Sequence, residues 1–392
     1  MRSWVIRKEK IKQYLTDPVD KRDYNKIISI EENIKLPEIS EHEALIKIKS
    51  TGLNFNSIWT LEAYPVDSFS LLSGHIRRNP NDKKHLRDYF IPGSDASGHV
   101  VQIKENSTFK EGDEIVVHCA SIDSKDLSLK DPMLSNTQSV WGYETNFGSF
   151  AEYAIVKISQ LIKKPKNLSW AASGCYMLTL GTAYRMIATK NGLDAKNGQT
   201  CLIWGASGGL GIFAIQICNT LGVEPICVVS NNEKAEYCKK FGAKKIINLE
   251  NFSEKKFINL DGSFNLTMWL EFSQELQKLI GEKKVDLVFE HIGKDTMGLS
   301  IYVLKKGGKV VTCAATSGYL STIDLRYLWM EMKRLIGSHF CNPLEAKESS
   351  QLLADGKIYH EPSKTLEFEK LIDGVIEIKN RKSLGKIAIN IS

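Results

Sequence analysis

The chain has 392 residues, of which 42% are hydrophobic and 25% are charged, and its formal net charge is +6. This length and composition predict a soluble globular protein with two domains and exclude a disordered chain. The sequence contains no run of about 18 apolar residues, so it predicts no membrane span. The charged first residues do not resemble a secretory signal. The positive charge is dispersed along the chain and therefore does not indicate nucleic-acid binding.

The first part of the chain, residues 1–166, contains short segments typical of β-strands. EALIKIKSTGLN (43–54), GHVVQIKEN (98–106) and EGDEIVVHC (111–119) each combine strand-forming residues with bounding turn residues. The sequence therefore predicts a β-rich first domain.

From residue 167 the pattern changes to alternating helices and strands. Ser169 is predicted to cap a single helix that ends near Gly192. Seven further segments then alternate between strand-like and helix-like patterns: LIW, IFAIQICNTLG, EPICVVS, NNEKAEYCKKFGA, KKIINL, VDLVFEHIG and GGKVVTCAA. This alternation predicts an α/β domain with a doubly wound parallel sheet over residues 167–340. Residues 341–392 are predicted to form a helix and a strand that return to the first domain.

The eight cysteines are scattered through apolar segments and form no C-x-x-C pair. Such a distribution favours buried free thiols in a reducing compartment over a disulfide framework or a zinc ribbon. We therefore expect a cytoplasmic protein.

A glycine-rich turn follows the first predicted strand of the second domain and precedes a helix. Glycines at this place let the backbone approach a pyrophosphate at the helix N-terminus, where free N–H groups favour an anion. A tight turn can also require glycine for steric reasons alone, but its place in a strand–helix–strand unit favours a dinucleotide. The predicted cofactor-binding residues of this turn are Gly205, Ser207, Gly208, Gly209, Leu210 and Gly211.

The end of the next strand predicts which dinucleotide is bound. Chains that prefer NAD usually place Asp or Glu there to bind the ribose 2′-OH. This strand instead ends in Ser230, and Lys234 follows in the first helical turn. A hydroxyl and a cation suit a 2′-phosphate, so the sequence predicts NADPH, although Lys234 could also be a solvated helix lysine.

Several motifs together carry a resemblance to a known family. They are NFNSIW, GSDASG, GDEIVVHC, DPM, WGYETNFGSFAEY, LIWGASGGLG, VFEH, RYLWM and RLIGSHF. The chain resembles the medium-chain dehydrogenase/reductases, whose fold combines a GroES-like catalytic domain with a Rossmann-type domain. Ser94 and Asp95 stand where zinc-dependent members have His and Glu, and Asn54 and Asn56 lie in the segment where those members use a cysteine. The resemblance is thus to the zinc-free branch and implies no metal.

Within that branch the motifs resemble crotonyl-CoA carboxylase/reductase. The resemblance implies that the chain converts a 2-enoyl-CoA, NADPH and CO2 to an alkylmalonyl-CoA. It also implies a CO2 pocket formed by Asn56, Tyr143, Glu144 and His339. In this interpretation the Asn56 amide and a backbone N–H of the Tyr143–Glu144 segment donate to CO2. Glu144, which can only accept, holds an ordered water together with His339, and the neighbouring aromatic side chains exclude bulk water.

The resemblance implies further residues and partners. Four residues are expected near the nicotinamide half of the cofactor, and two are expected to hold CoA. The four residues near the nicotinamide half are Thr182, Glu290, His291 and Thr316, and the two residues that hold CoA are Arg326 and Tyr327. Each could instead be a strand-end or packing residue. The family also implies a homo-oligomer, either a dimer or a tetramer.

Two other functions stay open from the sequence. A simple, non-carboxylating enoyl-thioester reductase would share the fold and the cofactor. An NADPH-binding protein with a structural or RNA-binding role would also share them, although no basic stripe with interleaved aromatic residues supports it. Arg77 and Arg78 add positive charge to a predicted loop and receive no role.

Overall fold

The computed structural model describes residues 1–104, 107–254 and 256–391. It contains two compact units, and the chain of one unit is interrupted by the other. The first unit comprises Met1–Leu178, Cys341–Ala354 and His360–Ser392, and the second comprises Thr179–Phe340 and Asp355–Tyr359.

The first unit is rich in strands, which are numbered here along the chain. Its strands are β1 (Ser3–Arg7), β2 (Ile28–Glu31), β3 (Glu43–Gly52), β4 (Tyr89–Phe90), β5 (Ala96–Ile103), β6 (Glu114–Val117), β7 (Ala120–Ser121), β8 (Ser139–Val140), β9 (Tyr153–Lys157), β10 (Leu161–Lys163), β17 (Lys364–Glu367) and β18 (Ile387–Asn390). Its helices are α1 (Lys8–Tyr14), α2 (Tyr24–Ile27), α3 (Phe55–Glu62), α4 (Ser68–Arg78), α5 (Trp170–Ser173), α12 (Pro343–Ala354) and α13 (Leu371–Lys379).

A seven-stranded sheet forms the centre of the first unit. Its strand order is β10-β6-β5-β3-β18-β17, and β9 also pairs with β3. Along β3 the side chains of Ala44, Ile46 and Ile48 are buried, whereas Lys47 on the other face is exposed. This alternation has the period of two that a strand requires, and it directs one face of β3 into the core. A three-stranded sheet, β2-β1-β4, and a two-stranded sheet, β7-β8, complete the unit.

The second unit is an alternating α/β structure. Its strands are β11 (Thr200–Ile203), β12 (Glu224–Val229), β13 (Lys245–Asn248), β14 (Val285–Glu290), β15 (Leu304–Thr312) and β16 (Arg334–Gly337). Its helices are α6 (Met177–Ala188), whose first two residues belong to the first unit, α7 (Gly209–Thr220), α8 (Asn232–Lys239), α9 (Leu266–Ile280), α10 (Met297–Tyr302) and α11 (Leu325–Trp329).

The six strands of the second unit form one parallel sheet in the order β13-β12-β11-β14-β15-β16. From β11 the chain first adds β12 and β13 on one side and then adds β14, β15 and β16 on the other side. This reversal of direction is typical of dinucleotide-binding folds. Most residues of its central strands β11, β12 and β14 are apolar and buried, as is typical of parallel sheets. On one face the rings of Trp204 and Phe272, from the end of β11 and from α9, stack with centroids 5.4 Å apart. The structure thus has the predicted fold class.

The helix predicted from Ser169 to Gly192 is wrong as a single helix. Ser169 caps α5, where its hydroxyl accepts the N–H of Ala172, but α5 ends at Ser173 and α6 begins only at Met177. A Cβ at Gly174 would lie 2.6 Å from the carbonyl oxygen of Ser50, so close packing against β3 fixes the break. The carboxylate of Asp95 accepts the N–H of Leu178 at 2.8 Å and so caps α6 from a distant part of the chain.

Other expectations from the sequence are met with differences in detail. The strand predicted over residues 98–106 is β5, and its last two predicted residues lie outside the described ones. Arg77 and Arg78 belong to α4 rather than to a loop. All eight cysteines are free thiols, as expected. Within the described ranges, none of the helices is both long and apolar enough to cross a membrane.

One close backbone contact joins two loops of the first unit. Gly142 has a φ of +67°, its carbonyl oxygen accepts the N–H of Gly93 at 3.1 Å, and a Cβ at Gly142 would lie 1.9 Å from the Gly93 oxygen. No side chain fits at this distance. The two loops can therefore meet only because residue 142 is glycine.

We expect Gly142→Ala to lower the melting temperature by roughly 5–10 °C, because overpacking of about 2–3 kcal/mol shifts the midpoint by about 2–4 °C per kcal/mol. The control is Gly112→Ala. Gly112 also has a positive φ, +87°, but no described atom lies within 4 Å of its added Cβ. Its loss should be about 1 kcal/mol, from the left-handed backbone alone. Equal melting temperatures of the two variants, measured by differential scanning calorimetry, would contradict the steric argument.

Candidate active site

The glycine-rich turn of the second unit connects β11 to α7. Gly205 has a φ of +56°, and a Cβ at Gly211 would lie 2.4 Å from the carbonyl oxygen of Ala206. Helix α7 begins at Gly209, after Gly208, which has no side chain to cap it. The first-turn N–H groups of a helix lack intrahelical partners, so a bound pyrophosphate fits this turn. Ser207 is buried in the turn, and Leu210 is partly exposed in the first turn of α7.

The predicted 2′-phosphate residues lie together at the end of β12. Ser230 follows β12 directly and is exposed, and the Lys234 ammonium in the first turn of α8 donates to the Ser230 hydroxyl at 3.0 Å. Asn231 caps α8 by accepting the Lys234 N–H at 2.9 Å. A cation and a hydroxyl thus occupy the place where an acid would bind a ribose diol, and this chemistry fits NADPH.

Glu290 is the last residue of β14 and His291 follows it, and both were predicted to approach the cofactor. The Glu290 carboxylate is fully buried and accepts four hydrogen bonds, from two backbone N–H groups and two hydroxyls. The donors are the Ile292 and Gly293 N–H groups and the Thr296 and Ser300 hydroxyls. Burial raises the pKa of Glu290, and these four donors oppose the rise. The structure therefore gives Glu290 a loop-holding role, and its contact with the cofactor stays a prediction.

His291 lies against the glycine-rich turn. Its Nε2 is 2.9 Å from the carbonyl oxygen of Trp204, and a Cβ at Gly205 would meet its ring at 2.8 Å. Burial lowers the pKa of His291 to about 4, so the ring is neutral near pH 7 and Nε2–H is the donor. The N–H and hydroxyl of Thr316 both approach the His291 carbonyl oxygen at 3.3 Å. Thr182 is buried on α6.

The first unit brings Asn56 close to the Tyr143–Glu144 loop. Asn56, on α3, donates its side-chain amide to the Ser94 hydroxyl at 2.9 Å. Gly93, which precedes Ser94, is hydrogen-bonded to Gly142, which precedes Tyr143. The ring of Trp59, one turn beyond Asn56 on the same face of α3, lies 6.5 Å from the Tyr143 ring. Three of the four predicted pocket residues therefore share one neighbourhood.

The Glu144 carboxylate is held at both oxygens. Its Oε2 accepts the N–H of Val140 at 2.8 Å, and its Oε1 accepts from the Arg78 guanidinium at 3.3 Å. The backbone N–H groups of Tyr143 and Glu144 both donate to the Val140 carbonyl oxygen, at 3.2 and 2.8 Å. The turn that closes on Val140 uses both N–H groups in this structure, and the expected donation from this backbone to CO2 stays a prediction.

Three aromatic residues around Glu144 lie in the protein core. Trp141, Phe147 and Phe150 are almost fully buried in the cores of the first unit, and the Trp141 indole N–H donates to the Phe147 carbonyl oxygen at 3.0 Å. These three buried rings anchor the segment around Glu144 in the core of the first unit. Tyr143 is the partly exposed ring of the loop, and it lies beside Trp59.

A buried ammonium lies near the residues that align with zinc ligands. The Lys386 Nζ donates to the Leu53 carbonyl oxygen at 2.8 Å and to the Asn54 side-chain oxygen, and it lies 3.5 Å from the Asp95 carboxylate. Burial raises the pKa of Asp95, and the Lys386 ammonium, the Asn54 amide and the Leu178 N–H oppose the rise. In the described ranges, no group of three or more His, Cys, Asp or Glu residues could hold a metal ion.

The remaining predicted residues belong to the second unit. His339 is exposed and follows β16, with its ring 4.4 Å from that of Phe340. Arg326 on α11 is exposed and paired with Asp324 at 2.7 Å, and Tyr327 packs on Tyr302 with ring centroids 5.2 Å apart. Their roles toward CO2 and CoA stay predictions, as does the meeting of His339 with the other pocket residues.

The roles of three residues of the site could not be predicted from the sequence. Arg78 reaches Ser139 across 61 positions of the chain and Glu144 across 66 positions. Lys386 reaches Asp95 across 291 positions. For Arg78 the sequence showed only a positive charge beside Arg77 in a predicted loop, which indicates no particular partner.

Comparisons with known proteins agree with this geometry. Residues 40–166 match the family described as alcohol dehydrogenase GroES-like domain, and residues 209–355 match the family described as zinc-binding dehydrogenase. The chain is 39% identical to a crotonyl-CoA reductase of Streptomyces collinus over 390 residues, which are 99% of this chain and 87% of the relative. It is 41% identical to the crotonyl-CoA carboxylase/reductase of Cereibacter sphaeroides over 335 residues, 83% of this chain and 75% of the relative.

A solved structure is similar over almost the whole chain. The 2-octenoyl-CoA carboxylase reductase CinF, in complex with NADP and 2-octenoyl-CoA, superposes with a TM-score of 0.93 at 33% identity. The match covers 99% of this chain and 87% of that protein. The predicted combination of a GroES-like domain with a Rossmann-type domain is confirmed.

We expect Lys234→Ala to raise the KM for NADPH by about 10-fold, because a charged hydrogen bond to a phosphate contributes about 1.5–3 kcal/mol. The KM for NADH, which lacks the 2′-phosphate, should change by less than about 2-fold, a difference of about 0.4 kcal/mol. Lys239→Ala is the control, since Lys239 lies on the same helix and pairs with Glu236. Steady-state kinetics that show the same rise for both cofactors would contradict the assignment.

Proposed function

Because this chain belongs to the crotonyl-CoA carboxylase/reductase family, we propose that it carries out the NADPH-dependent reductive carboxylation of a 2-enoyl-CoA with CO2. The product is an alkylmalonyl-CoA. The observation that carries the proposal is the shared neighbourhood of Asn56, Tyr143 and Glu144 in the first unit, connected through Ser94 and the Gly93–Gly142 contact.

The reaction sets a clear demand on the protein. Bound NADPH supplies the hydride that reduces the β-carbon of the enoyl thioester. The α-carbon of the substrate is then an enolate, which either attacks CO2 or takes a proton. Because CO2 is small and neutral, the residues around the α-carbon must hold CO2 in place and keep proton donors away. The carboxylated share of product therefore depends on the polar groups of the pocket.

Asn56 is suited to donate to CO2. An Asn amide carries two N–H donors, and the bond to Ser94 uses one of them and fixes the orientation of the amide. The second N–H donates to one CO2 oxygen in our proposal. Ser94 thus acts through Asn56, as a group that sets its direction.

Glu144 is suited to hold a water. An ionised carboxylate offers about four acceptor positions, and the Val140 N–H and the Arg78 guanidinium occupy one at each oxygen. The side chain is 20% exposed, so water reaches it. In our proposal a water donates one hydrogen to Glu144 and the other to CO2. His339 is the family counterpart that would share this water.

We expect product analysis by mass spectrometry to test this function. Crotonyl-CoA and NADPH with ¹³C-bicarbonate should give labelled ethylmalonyl-CoA, because bicarbonate supplies CO2. Without bicarbonate, butyryl-CoA should be the main product, because the enolate is then protonated.

Butyryl-CoA alone in both reactions, also with an eight-carbon enoyl-CoA, would support a simple enoyl-thioester reductase and contradict the carboxylase. No turnover of any CoA ester, together with salt-sensitive binding in an RNA filter assay, would support the nucleic-acid alternative. A reaction with heat-denatured protein is the control for chemical reduction.

The proposal includes a homo-oligomer. Strand β16 is an edge strand of the six-stranded sheet, and exposed apolar side chains occur within it (Leu335) and shortly before it in the chain (Trp329 and Met330). An exposed edge strand with apolar neighbours is a typical interface. A second copy of the chain is the partner that the family implies. With eight free thiols and an NADPH-dependent reaction, the proposed location is the cytoplasm.

We expect Trp329→Glu to reduce the molar mass measured by light scattering to that of a smaller assembly, because it places a charge at the proposed interface. Trp329 is 67% exposed in the isolated chain. Leu344→Glu is the matched control, since Leu344 is 64% exposed but lies on α12 of the first unit. An unchanged mass of Trp329→Glu, or a wild type that is monomeric at micromolar concentration, would contradict the proposed interface.

A further inference from the structure

We propose that Arg78 is the positioning residue of Glu144, and that a buried chain of Ser139, His75 and Asp82 holds Arg78 in place. We call these four residues the positioning chain. This inference rests on the proposed function and deepens it. It assigns to the positioning chain the control of how much enolate is carboxylated rather than protonated.

One nitrogen of Arg78 connects Ser139 of the positioning chain to the Glu144 carboxylate. The Arg78 Nη2 donates to the Glu144 Oε1 and to the Ser139 hydroxyl, at 3.3 Å in each case. The Arg78 side chain is 39% exposed. A guanidinium at a surface has many rotamers, and fixing it costs conformational entropy. The bond to Ser139 selects the rotamer that also reaches Glu144.

The remaining bonds extend from Ser139 through His75 to Asp82. The Ser139 hydroxyl lies 2.8 Å from the Nδ1 of His75, and the Nε2 of His75 lies 2.9 Å from the Oδ2 of Asp82. Because a carboxylate only accepts, we assign a proton to the Nε2 of His75, and because the Asn79 amide donates toward Nδ1, we assign no proton to Nδ1. Nδ1 then accepts from the Ser139 hydroxyl. The lone pairs of Ser139 face Arg78, so every bond of the chain has a donor and an acceptor.

The inner end of the chain is fixed by burial and charge. The His75 side chain is fully buried, and the Asn79 amide approaches its Nδ1 at 3.2 Å. Burial tends to raise the pKa of Asp82, but the hydrogen bond with His75 and the Lys157 ammonium, 3.8 Å away, lower this pKa to about 2. Asp82 is therefore a carboxylate at neutral pH. A buried, fully paired network of this kind has one arrangement.

Strand β8 carries both supports of Glu144. Ser139 directs its side chain to Arg78, and the next residue, Val140, donates its backbone N–H to the Oε2 of Glu144 at 2.8 Å. The Val140 carbonyl oxygen accepts the Glu144 N–H at 2.8 Å. The backbone thus fixes one carboxylate oxygen, and the positioning chain fixes the other. Loss of the second support leaves the carboxylate free to rotate about the first.

The arrangement of Ser139, His75 and Asp82 resembles a hydrolytic triad in its bonds but not in its access. A nucleophilic serine must reach a substrate carbonyl carbon. Ser139 has no exposed surface, and its lone pairs face a guanidinium. The positioning chain therefore contains no accessible nucleophile, and its remaining role is to orient Arg78.

The test measures product partition in four single variants. Arg78→Ala should raise the KM for CO2 by about 10-fold and lower the ethylmalonyl-CoA share at limiting CO2. This effect is smaller than the roughly 100-fold loss that a 1 Å misplacement of a reacting group causes. NADPH oxidation should fall much less, because the enolate is still formed and is then protonated. Arg78→Lys should restore part of the share, and Ser139→Ala should show a smaller loss. Arg77→Ala, the exposed neighbour on α4, is the control.

A double-mutant cycle separates positioning from general damage. In Glu144→Ala, which should itself favour butyryl-CoA, adding Arg78→Ala should change the product share no further, because Arg78 acts only through Glu144. A full additional loss would overturn the proposal and indicate that Arg78 acts on substrate directly. If Arg78→Ala melts well below the wild type, Arg78→Lys and Ser139→Ala carry the test.

The outcomes distinguish this inference from the proposed function. Wild-type protein that never forms ethylmalonyl-CoA overturns both. Wild-type protein that carboxylates, with Arg78→Ala and Ser139→Ala giving the wild-type product share and the wild-type KM for CO2, overturns the positioning chain alone.

Discussion

The contact between Gly93 and Gly142 is the constraint on which the site in the first unit depends. It brings the backbone of two loops within hydrogen-bonding distance, and no side chain fits between them. Ser94 and Asp95 follow one glycine, and Tyr143 and Glu144 follow the other. The orientation of Asn56 by Ser94 and the placement of the Glu144 carboxylate therefore both depend on a contact that involves no side chain.

The Lys386 ammonium is the cation that lies beside the buried carboxylate of Asp95. Asp95 aligns with an acidic position of zinc-dependent relatives, yet here its carboxylate is surrounded by the Lys386 ammonium, the Asn54 amide and the Leu178 N–H. A buried carboxylate needs such partners because removal from water is costly. Through the Leu178 N–H the same carboxylate starts α6, which carries Thr182. The charge of Asp95 thus supports the first residues of α6.

The sequence predicted what depends on neighbours along the chain. The glycine-rich turn, Ser230 and Lys234 lie within one strand–helix–strand unit, so their arrangement follows from local pattern. Asn56, Tyr143 and Glu144 came from resemblance, since no local rule connects residue 56 with residue 144. The break at Gly174, the support of Glu144 by Arg78 and the use of the Tyr143 and Glu144 N–H groups by Val140 were all missed. Each depends on a tertiary contact or on turn geometry that periodicity does not encode.

The interrupted course of the first unit has a consequence for synthesis. Strand β18 pairs with β3, and Lys386 approaches Asp95, yet residues 179–340 of the second unit lie between these partners in sequence. A ribosome releases the chain from its N-terminal end, so the parallel sheet of the second unit emerges before β18 does. Until then residues 50–52 of β3 lack the partners that β18 supplies, and Asp95 lacks its ammonium. The nucleotide-binding unit can therefore fold during translation, whereas the unit that holds Glu144 has to finish later and is the part that a chaperone would have to protect.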